Sequence, residues 1–297
     1  MTARLGEIAA LGTALLWTLT YVQFTVAVRK IGPSALNRLR LLAALVLLVC
    51  AHFALLGTPF PLHVEPAQWG WLGLSGVIGF AISDAFLFRA LLHLGAHRTS
   101  LFMSLIPLAS ALLAWGAFGE GLSWLQITAG LVTVAGIMLV VSARSKKDRD
   151  TRAPTTGLLF AFGAVLAQSL RYILSVEGMR GGLAPLSANV LQILAATVAV
   201  WAVAAVRGTV RSSFEGMRDR VAALTTAGGS CTGPFLGVTL SLVALARAPV
   251  GIASTLMALS PVFLLPASRL VLKEPITARA LVGTLLAVAG VALLFLA

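Results

Sequence analysis

The sequence predicts an all-α polytopic membrane protein with ten transmembrane helices, arranged as two inverted repeats of five helices each. Three observations lead to this prediction. Hydrophobic residues make up 59% of the 297 residues and charged residues only 11%, which is less than half of what a soluble domain usually carries. The chain contains ten apolar runs, and each is about as long as the 20 residues that a helix needs to cross a bilayer. The second half of the chain also repeats a pattern found in the first half.

The ten apolar runs occupy nearly the whole chain, and most connections between them are short. They lie at about residues 6–28, 34–56, 67–91, 98–118, 123–143, 154–177, 184–206, 221–246, 249–271 and 276–296. Inside lipid every backbone polar group must be satisfied within the chain, so the spans are either helices or the strands of a closed barrel. Barrel strands have about 10 residues of alternating polarity. These runs are longer and do not alternate, so they are predicted to be helices.

The repeat becomes visible when the sequence is shifted by 154 residues. Ten positions in the range 100–140 are then identical to positions in the range 254–294, without a gap. The most informative identical pairs are Pro107/Pro261, Glu120/Glu274 and Gly136/Gly290.

These matches predict a first five-helix repeat at residues 1–143, a basic linker at 144–153 and a second five-helix repeat at 154–297. Because five is an odd number, the second repeat enters the membrane from the opposite side. Two halves of this kind line one pathway near the membrane midplane.

The positive charge follows the connections between the spans. Of the 22 Lys and Arg residues, 18 belong to alternate connections. Cytoplasmic loops carry the excess of Lys and Arg, so this set is predicted to be cytoplasmic and both termini to lie outside. The net charge of +12 is scattered over short loops, which favours contact with membrane lipids over nucleic acid. Cys50 and Cys231 fall inside spans, so no disulfide is predicted.

Two stretches carry a resemblance to a known family. PLASALLAWGAFGE ends at Glu120 and PVFLLPASRLVLKE ends at Glu274, and a glycine-containing span follows each. They resemble the drug/metabolite transporter superfamily, in particular its ten-helix EamA-like members. Arg40, early in the second span, lies where such proteins often carry an arginine. The resemblance covers nearly the whole chain.

The resemblance implies a transporter rather than an enzyme, and it does not name a substrate, because the family moves amino acids, other metabolites, nucleotide sugars and drugs. Ten-helix members usually keep both termini in the cytoplasm. The charge distribution of this chain predicts the reverse, so orientation, import and export stay open.

Several sequence motifs of ATP-driven transporters and of hydrolytic enzymes are absent from the sequence. It contains no Gly-x4-Gly-Lys-Ser/Thr loop, no His-Glu-x2-His and no Gly-x-Ser-x-Gly, so neither ATP drive by this chain nor a cofactor is predicted. His93 and His97 have no evident third ligand, and no metal is predicted. The prediction is a secondary transporter, a carrier or facilitator of the cytoplasmic membrane. It moves a small polar metabolite, such as an amino acid or related compound, by alternating access. The alternative is a flippase for a lipid-linked or phosphate-bearing substrate.

Arg171 is the most informative candidate for substrate binding. It lies inside the predicted sixth span, where a charged side chain costs at least about 2.5–3.5 kcal/mol and usually faces a wet cavity or a partner. One interpretation is a cationic anchor for a carboxylate or phosphate of the substrate. The other is snorkelling to the interface, or a pair with Glu177.

Asp84 is the only acidic residue well inside a span. One interpretation is a proton-coupling carboxylate, and passive transport without a proton is the alternative. The structural interpretation of the same residue is a pair with Arg89 or Arg98, or a cap in a bent helix.

Further polar and aromatic residues are candidates for lining a central cavity. They are Gln168 and Tyr172, their duplicated counterparts Trp17 and Tyr21, and Asn37, Asn189 and Gln192. The alternative roles are packing at the membrane interface and hydrogen bonds between helices.

Six residues are candidates for hinges or structural roles. They are Pro107, Pro261, Gly233, Pro234, Glu120 and Glu274. The two Pro-x12-Glu prolines are predicted to kink their helices, as hinges or as fixed bends. The two glutamates are interpreted as structural. The stretch GGSCTGPFLG, Gly228 to Gly237, is predicted to be a loosened or broken helix.

Overall fold

The computed structural model describes residues 2–62, 64–106, 108–110, 112–113, 123–142, 155–247, 256–257, 259–273 and 277–294. The described part of the chain is helical and contains eleven α-helices. The helices are α1 (Thr2–Leu56), α2 (Pro66–Gly76), α3 (Asp84–Met103), α4 (Trp124–Ser142), α5 (Thr155–Met179), α6 (Pro185–Val206), α7 (Val210–Glu215), α8 (Arg220–Ser230), α9 (Val238–Arg247), α10 (Ser260–Leu270) and α11 (Ala278–Leu294). A short 3-10 helix, Gly216–Arg218, joins α7 to α8.

Five continuous helical stretches in the described residues are long and apolar enough to cross a membrane. They are Leu5–Leu56, Pro66–Met103, Thr155–Met179, Pro185–Val206 and Arg220–Ala244. Two shorter apolar helices are Ile127–Val140 and Ala278–Leu293. The prediction of an all-helical, multi-pass chain is therefore confirmed.

Leu5–Leu56 covers the first two predicted spans, and Pro66–Met103 covers the third and the beginning of the fourth. In each stretch a glycine with positive φ lies between the two spans. Gly32 has φ 76° and precedes Pro33, and Gly95 has φ 79°. Glycine adopts this conformation readily and other residues do not. Gly32 therefore divides α1 into a first arm, residues 2–31, and a second arm, residues 33–56. Gly95 divides α3 in the same way, so these connections consist of little more than one residue.

Two segments of π-helix repeat across the halves. Val77–Ser83 joins α2 to α3, and Cys231–Gly237 joins α8 to α9. Their numbers differ by 154, the offset of the sequence repeat. In the second segment Pro234 lacks a backbone N–H and interrupts the ordinary hydrogen-bond ladder. A π-helical turn accommodates an interruption of this kind and is frequent at functional sites.

The two repeats pack against each other in reciprocal fashion. In the first repeat α2 and its π segment contact α5 and α6, which begin the second repeat. In the second repeat α8, its π segment and α9 contact α1, which begins the first repeat. The last helices of the repeats, α4 and α11, pack side by side. Reciprocal contacts are what two copies related by a pseudo-two-fold axis produce.

Glycines allow α4 and α11 to approach closely. A methyl group on Gly136 would lie 2.4 Å from the backbone nitrogen of Ala287, and one on Gly290 would lie 2.5 Å from that of Thr133. Small residues serve this purpose at helix contacts in membranes. The duplicated pair Gly136/Gly290 therefore has a packing role.

Candidate functional site

A buried ion pair lies in the first repeat, between the second arm of α1 and the start of α3. Arg40 is 3% exposed, and its Nη2 donates to Oδ2 of Asp84. Arg40 also donates from Nε and Nη2 to Oδ1 of Asn37, at 3.0 and 2.8 Å, and from Nη2 to the carbonyl of Phe80 at 3.1 Å. A buried charge needs partners of this kind, because removing it from water costs several kcal/mol.

The ion pair corrects one expectation and identifies a residue that sequence reasoning missed. Asp84 pairs with Arg40 and not with Arg89 or Arg98. The sequence singled out Arg40 only through the family resemblance. Its position near the end of an apolar span is a weak signal, because a charge at that place can also reach the membrane interface.

Arg171 is equally buried, at 3% exposed, and lies on α5 of the second repeat. It does not snorkel to the interface, and Glu177 pairs instead with Arg180 at 2.8 Å. Nη2 of Arg171 donates to Oε1 of Gln192 at 3.3 Å, while its buried Nε has no hydrogen-bond partner. Among the described residues no carboxylate forms an ion pair with Arg171.

Phe80 connects the two arginines. The guanidinium carbon of Arg171 lies 4.3 Å from the centroid of the Phe80 ring, and that of Arg40 lies 6.0 Å from it. Rings attract cations through their negative faces, and most strongly where water is excluded. Phe80 belongs to the first π segment, so this segment brings a charge of each repeat to one ring.

Glycine in the same π segment creates the space that Arg171 occupies. A methyl group on Gly79 would lie 1.9 Å from Cδ of Arg171. The equivalent residue of the second repeat, Gly233, lies against Thr20, and a methyl group there would be 2.7 Å from Cγ2 of Thr20. Thr20 is the duplicated counterpart of Arg171. Both repeats therefore place a side chain of equivalent position against the glycine of the π segment, but only the side chain at Gly79, Arg171, is charged.

Several predicted residues gather around this site. Tyr172 places its ring 5.3 Å from the guanidinium carbon of Arg171. Tyr21 is within electrostatic range of both Asp84 and Tyr172. Gln192 is fully buried and bridges Arg171 to Ser175, to whose Oγ its Nε2 donates at 3.0 Å. The structure thus brings together residues of α1, α3, α5 and α6.

Trp17 and Gln168 lie apart from these contacts. Trp17 packs against the end of the second π segment, where a methyl group on Gly237 would be 2.9 Å from its ring. Oε1 of Gln168 is buried without a hydrogen-bond partner. A role of either residue in binding stays a prediction.

Asn37 and Asn189 hold the π segments in place. Nδ2 of Asn37 donates to the carbonyl of Ala81 at 3.2 Å. Nδ2 of Asn189 donates to the carbonyl of Pro234 at 2.9 Å. Each duplicated asparagine thus donates to a carbonyl of the π segment in its own repeat. Oδ1 of Asn189 is buried without a hydrogen-bond partner, and substrate contact by either asparagine stays a prediction.

The predicted hinge residues are only partly described. Gly233 and Pro234 lie in the second π segment. Pro261 lies in the first turn of α10, where a missing N–H costs nothing, rather than at a kink within the helix. Pro107, Glu120 and Glu274 lie outside the described residues. A hinge role for any of them stays a prediction.

A separate cavity of about 420 Å³ opens where the second arm of α1 ends and α6 begins. His52 lines it and connects the repeats, with Nε2 3.0 Å from Oγ of Ser187 and Nδ1 2.5 Å from the carbonyl of Thr58. Loop residues Gly181 and Gly182, both with positive φ, also line it. No group of three His, Cys, Asp or Glu side chains in the described part of the chain is placed to hold a metal ion.

Fold and site together define a multi-pass membrane protein built from a duplicated unit, with a buried cationic site where the repeats meet. The family model of the EamA-like transporter family matches residues 4–142 and 155–296. The chain therefore belongs to this family, within the drug/metabolite transporter superfamily, and is a membrane transporter rather than an enzyme.

Comparison with solved structures shows the same fold elsewhere. One crystal structure of a protein superposes with a TM-score of 0.68 at 18% sequence identity, over 98% of this chain and 96% of that chain. At this identity the likeness concerns the fold alone. A comparison with curated protein sequences found no match.

Proposed function

We propose that the chain is a secondary transporter of the cytoplasmic membrane. It moves a small polar metabolite, such as an amino acid or related compound, by alternating access between its two repeats. The substrate bears a carboxylate or phosphate that Arg171 anchors. The reciprocal packing of the repeats supports this mechanism, because exchange of their roles opens one pathway to opposite faces in turn.

The observation that carries the proposal is the state of Arg171. Its guanidinium is buried, lies on the Phe80 ring and keeps an unpartnered Nε. A buried charged group without a counter-ion is unfavourable, and a substrate anion supplies that counter-ion. Because Arg171 is only 3% exposed, the helices around it have to separate before a substrate reaches it.

Asp84 is the candidate for proton coupling in this scheme. Its carboxylate is the counter-ion of Arg40, so protonation of Asp84 would release Arg40 and change the charge of the site. Transport driven by a pH gradient then depends on Asp84, whereas passive transport does not.

The test is flux of labelled amino acids, acidic and neutral, into proteoliposomes with and without an imposed pH gradient. Saturable flux is expected for the wild type, and its loss for Arg171→Gln. Arg180→Gln is the matched control, because Arg180 is exposed and pairs with Glu177 at the surface. Retained flux in Arg171→Gln contradicts the anchor.

A second variant separates coupling from binding. Asp84→Asn is expected to lose the component of the flux that the pH gradient drives and to retain saturable flux that depends on Arg171. If no amino acid is transported, movement of lipid-linked sugars between the leaflets is measured next, since Arg171 would also hold a phosphate of such a substrate.

A further inference from the structure

The buried charges of the candidate site do not cancel. Arg40 and Asp84 neutralise each other, and the donors of Arg40 are further used by Asn37 and the carbonyl of Phe80. Arg171 donates to Gln192 and contacts Tyr172, both uncharged, and has no carboxylate partner among the described residues. The cluster of Arg40, Asp84 and Arg171 therefore carries a net charge of +1.

The three groups are close enough to act as one charge. Both guanidinium carbons lie over the Phe80 ring, so they are at most about 10 Å apart. Arg171 interacts electrostatically with Asp84 and with Arg40. In a buried site, interactions over this distance are screened far less than in water. A ligand at Arg171 therefore meets the sum of the three charges.

We propose, building on the proposed transport function, that this net charge selects organic monoanions as substrates over dianions and over zwitterions. A monoanion at Arg171 makes the buried cluster neutral. A dianion leaves one negative charge in excess and a zwitterion leaves one positive charge, and an uncompensated buried charge is costly. Asp84 is the specificity-determining residue, because it neutralises Arg40 and so fixes the sum at +1.

The net charge of the cluster separates amino acids from related compounds as substrates. A neutral amino acid offers its carboxylate to Arg171, but in the described part of the site its ammonium group finds no free acid, because Asp84 is engaged by Arg40. A hydroxy acid has one net negative charge at neutral pH and no ammonium group, so it fits the sum. The substrate class is therefore a small organic acid with one net negative charge.

Four forms of the full chain vary the sum of charges. The wild type carries +1, Asp84→Asn carries +2, Arg40→Gln carries 0, and the double variant Arg40→Gln/Asp84→Asn returns to +1. The probes are 3-hydroxybutyrate, succinate and threonine, which all have four carbons and carry −1, −2 and 0 at neutral pH. Binding is measured by competition on purified protein in detergent, and counterflow is measured in proteoliposomes.

The wild type is expected to bind 3-hydroxybutyrate about tenfold or more tightly than the other two probes. This is the size of effect that one unit charge has at about 10 Å with an effective dielectric constant of about 20. Asp84→Asn is expected to prefer succinate. Arg40→Gln, in which Asp84 is free to meet an ammonium group, is expected to prefer threonine. The double variant is expected to recover the preference for 3-hydroxybutyrate.

The double variant keeps the test decisive if a single variant folds poorly, because it contains no unpaired partner of the broken ion pair. Asp219→Asn removes a charge from an exposed loop and is expected to leave the preference unchanged. The inference is overturned if the double variant behaves like Asp84→Asn. It is equally overturned if the wild type prefers succinate or threonine, or binds none of the probes.

The two proposals fail in different ways. Selective binding of 3-hydroxybutyrate without counterflow contradicts the transport function and leaves the charge selection standing. Counterflow of threonine that still depends on Arg171 supports the transport function and overturns the charge selection.

Discussion

The contact between Gly79 and Arg171 allows the site to be disturbed without removing any of its charges. In Gly79→Ala the added methyl carbon would lie 1.9 Å from Cδ and 2.7 Å from Cγ of Arg171. Non-bonded carbon atoms pack at about 3.5–4.0 Å, so the stem of Arg171 has to retreat by about 2 Å. The movement draws the guanidinium away from Phe80 and from Gln192.

The expected magnitude follows from these contacts. Overpacking of a filled interior costs about 1–3 kcal/mol of stability. Hydrogen bonds to a charged group contribute about 1.5–3 kcal/mol. If the displaced guanidinium loses one such bond to a bound anion, the affinity falls by about ten- to a hundredfold.

The assay compares Gly79→Ala with Gly233→Ala, its duplicated counterpart. Thermal unfolding of the purified protein in detergent is measured for both variants, together with the dissociation constant for the best-bound organic acid. In Gly233→Ala the methyl group meets the methyl carbon of Thr20 at 2.7 Å, and no charge moves. Both variants are expected to unfold at lower temperature, but only Gly79→Ala to bind less tightly. Unchanged affinity in Gly79→Ala, or an equal loss in both, would refute the reasoning.

Two further predictions concern stability outside the site. Gly136→Ala is expected to lower the free energy of unfolding by about 1–3 kcal/mol, because its methyl group meets backbone atoms of α11 at 2.4 and 2.6 Å. The control is Gly70→Ala, which has no atom within 4 Å of the added methyl group and is expected to leave the unfolding temperature equal or slightly higher. Equal effects of the two substitutions would contradict the packing role of Gly136. Asp219 accepts from Lys30 at 2.5 Å and caps α8 by accepting from the backbone N–H of Ala222 at 2.9 Å, and these contacts, the one with Lys30 first, lower the pKa of its carboxyl. The stability that Asp219 contributes is therefore fully present above about pH 4 and is lost as the pH falls through the lowered pKa. The unfolding temperatures of wild type and Asp219→Ala are expected to differ at pH 7 and to converge as the pH falls below about 4. A difference that does not shrink would contradict this assignment.

The helices and the repeat were predictable because their signals are long-range patterns. Apolar runs of about 20 residues, and an offset of 154 with shared proline and glycine, survive even where most side chains differ. Arg171 and Asp84 were found because a charge within such a run is rare. Both features depend on composition along the chain and not on the direction in which a side chain points.

The contacts of Arg171 and Asp84 within the site were not predictable, because they depend on the direction in which side chains point. Arg40 lies near the end of a span, where a charge that turns inward and one that reaches the interface look alike in sequence. Phe80 is one of 14 phenylalanines, and only the three-dimensional contact distinguishes it. The π segments share a position in both repeats, but Gly79 and Gly233 are the only identical residues in them. Two seven-residue segments with one identity do not stand out in an apolar chain.

The two glycine contacts of the π segments also bear on the sidedness of the molecule. Gly79 faces a cation and Gly233 faces a hydroxyl-bearing side chain, although the backbone at both positions is the same. If the two repeats were chemically identical, the inward- and outward-facing forms of the proposed cycle would be related by the pseudo-two-fold axis and would have equal free energy. Because a cation lies at only one of the two equivalent π segments, the two forms differ in free energy, and the empty protein rests mainly in the more stable one. The same substrate is then expected to meet a different apparent affinity at each face of the membrane.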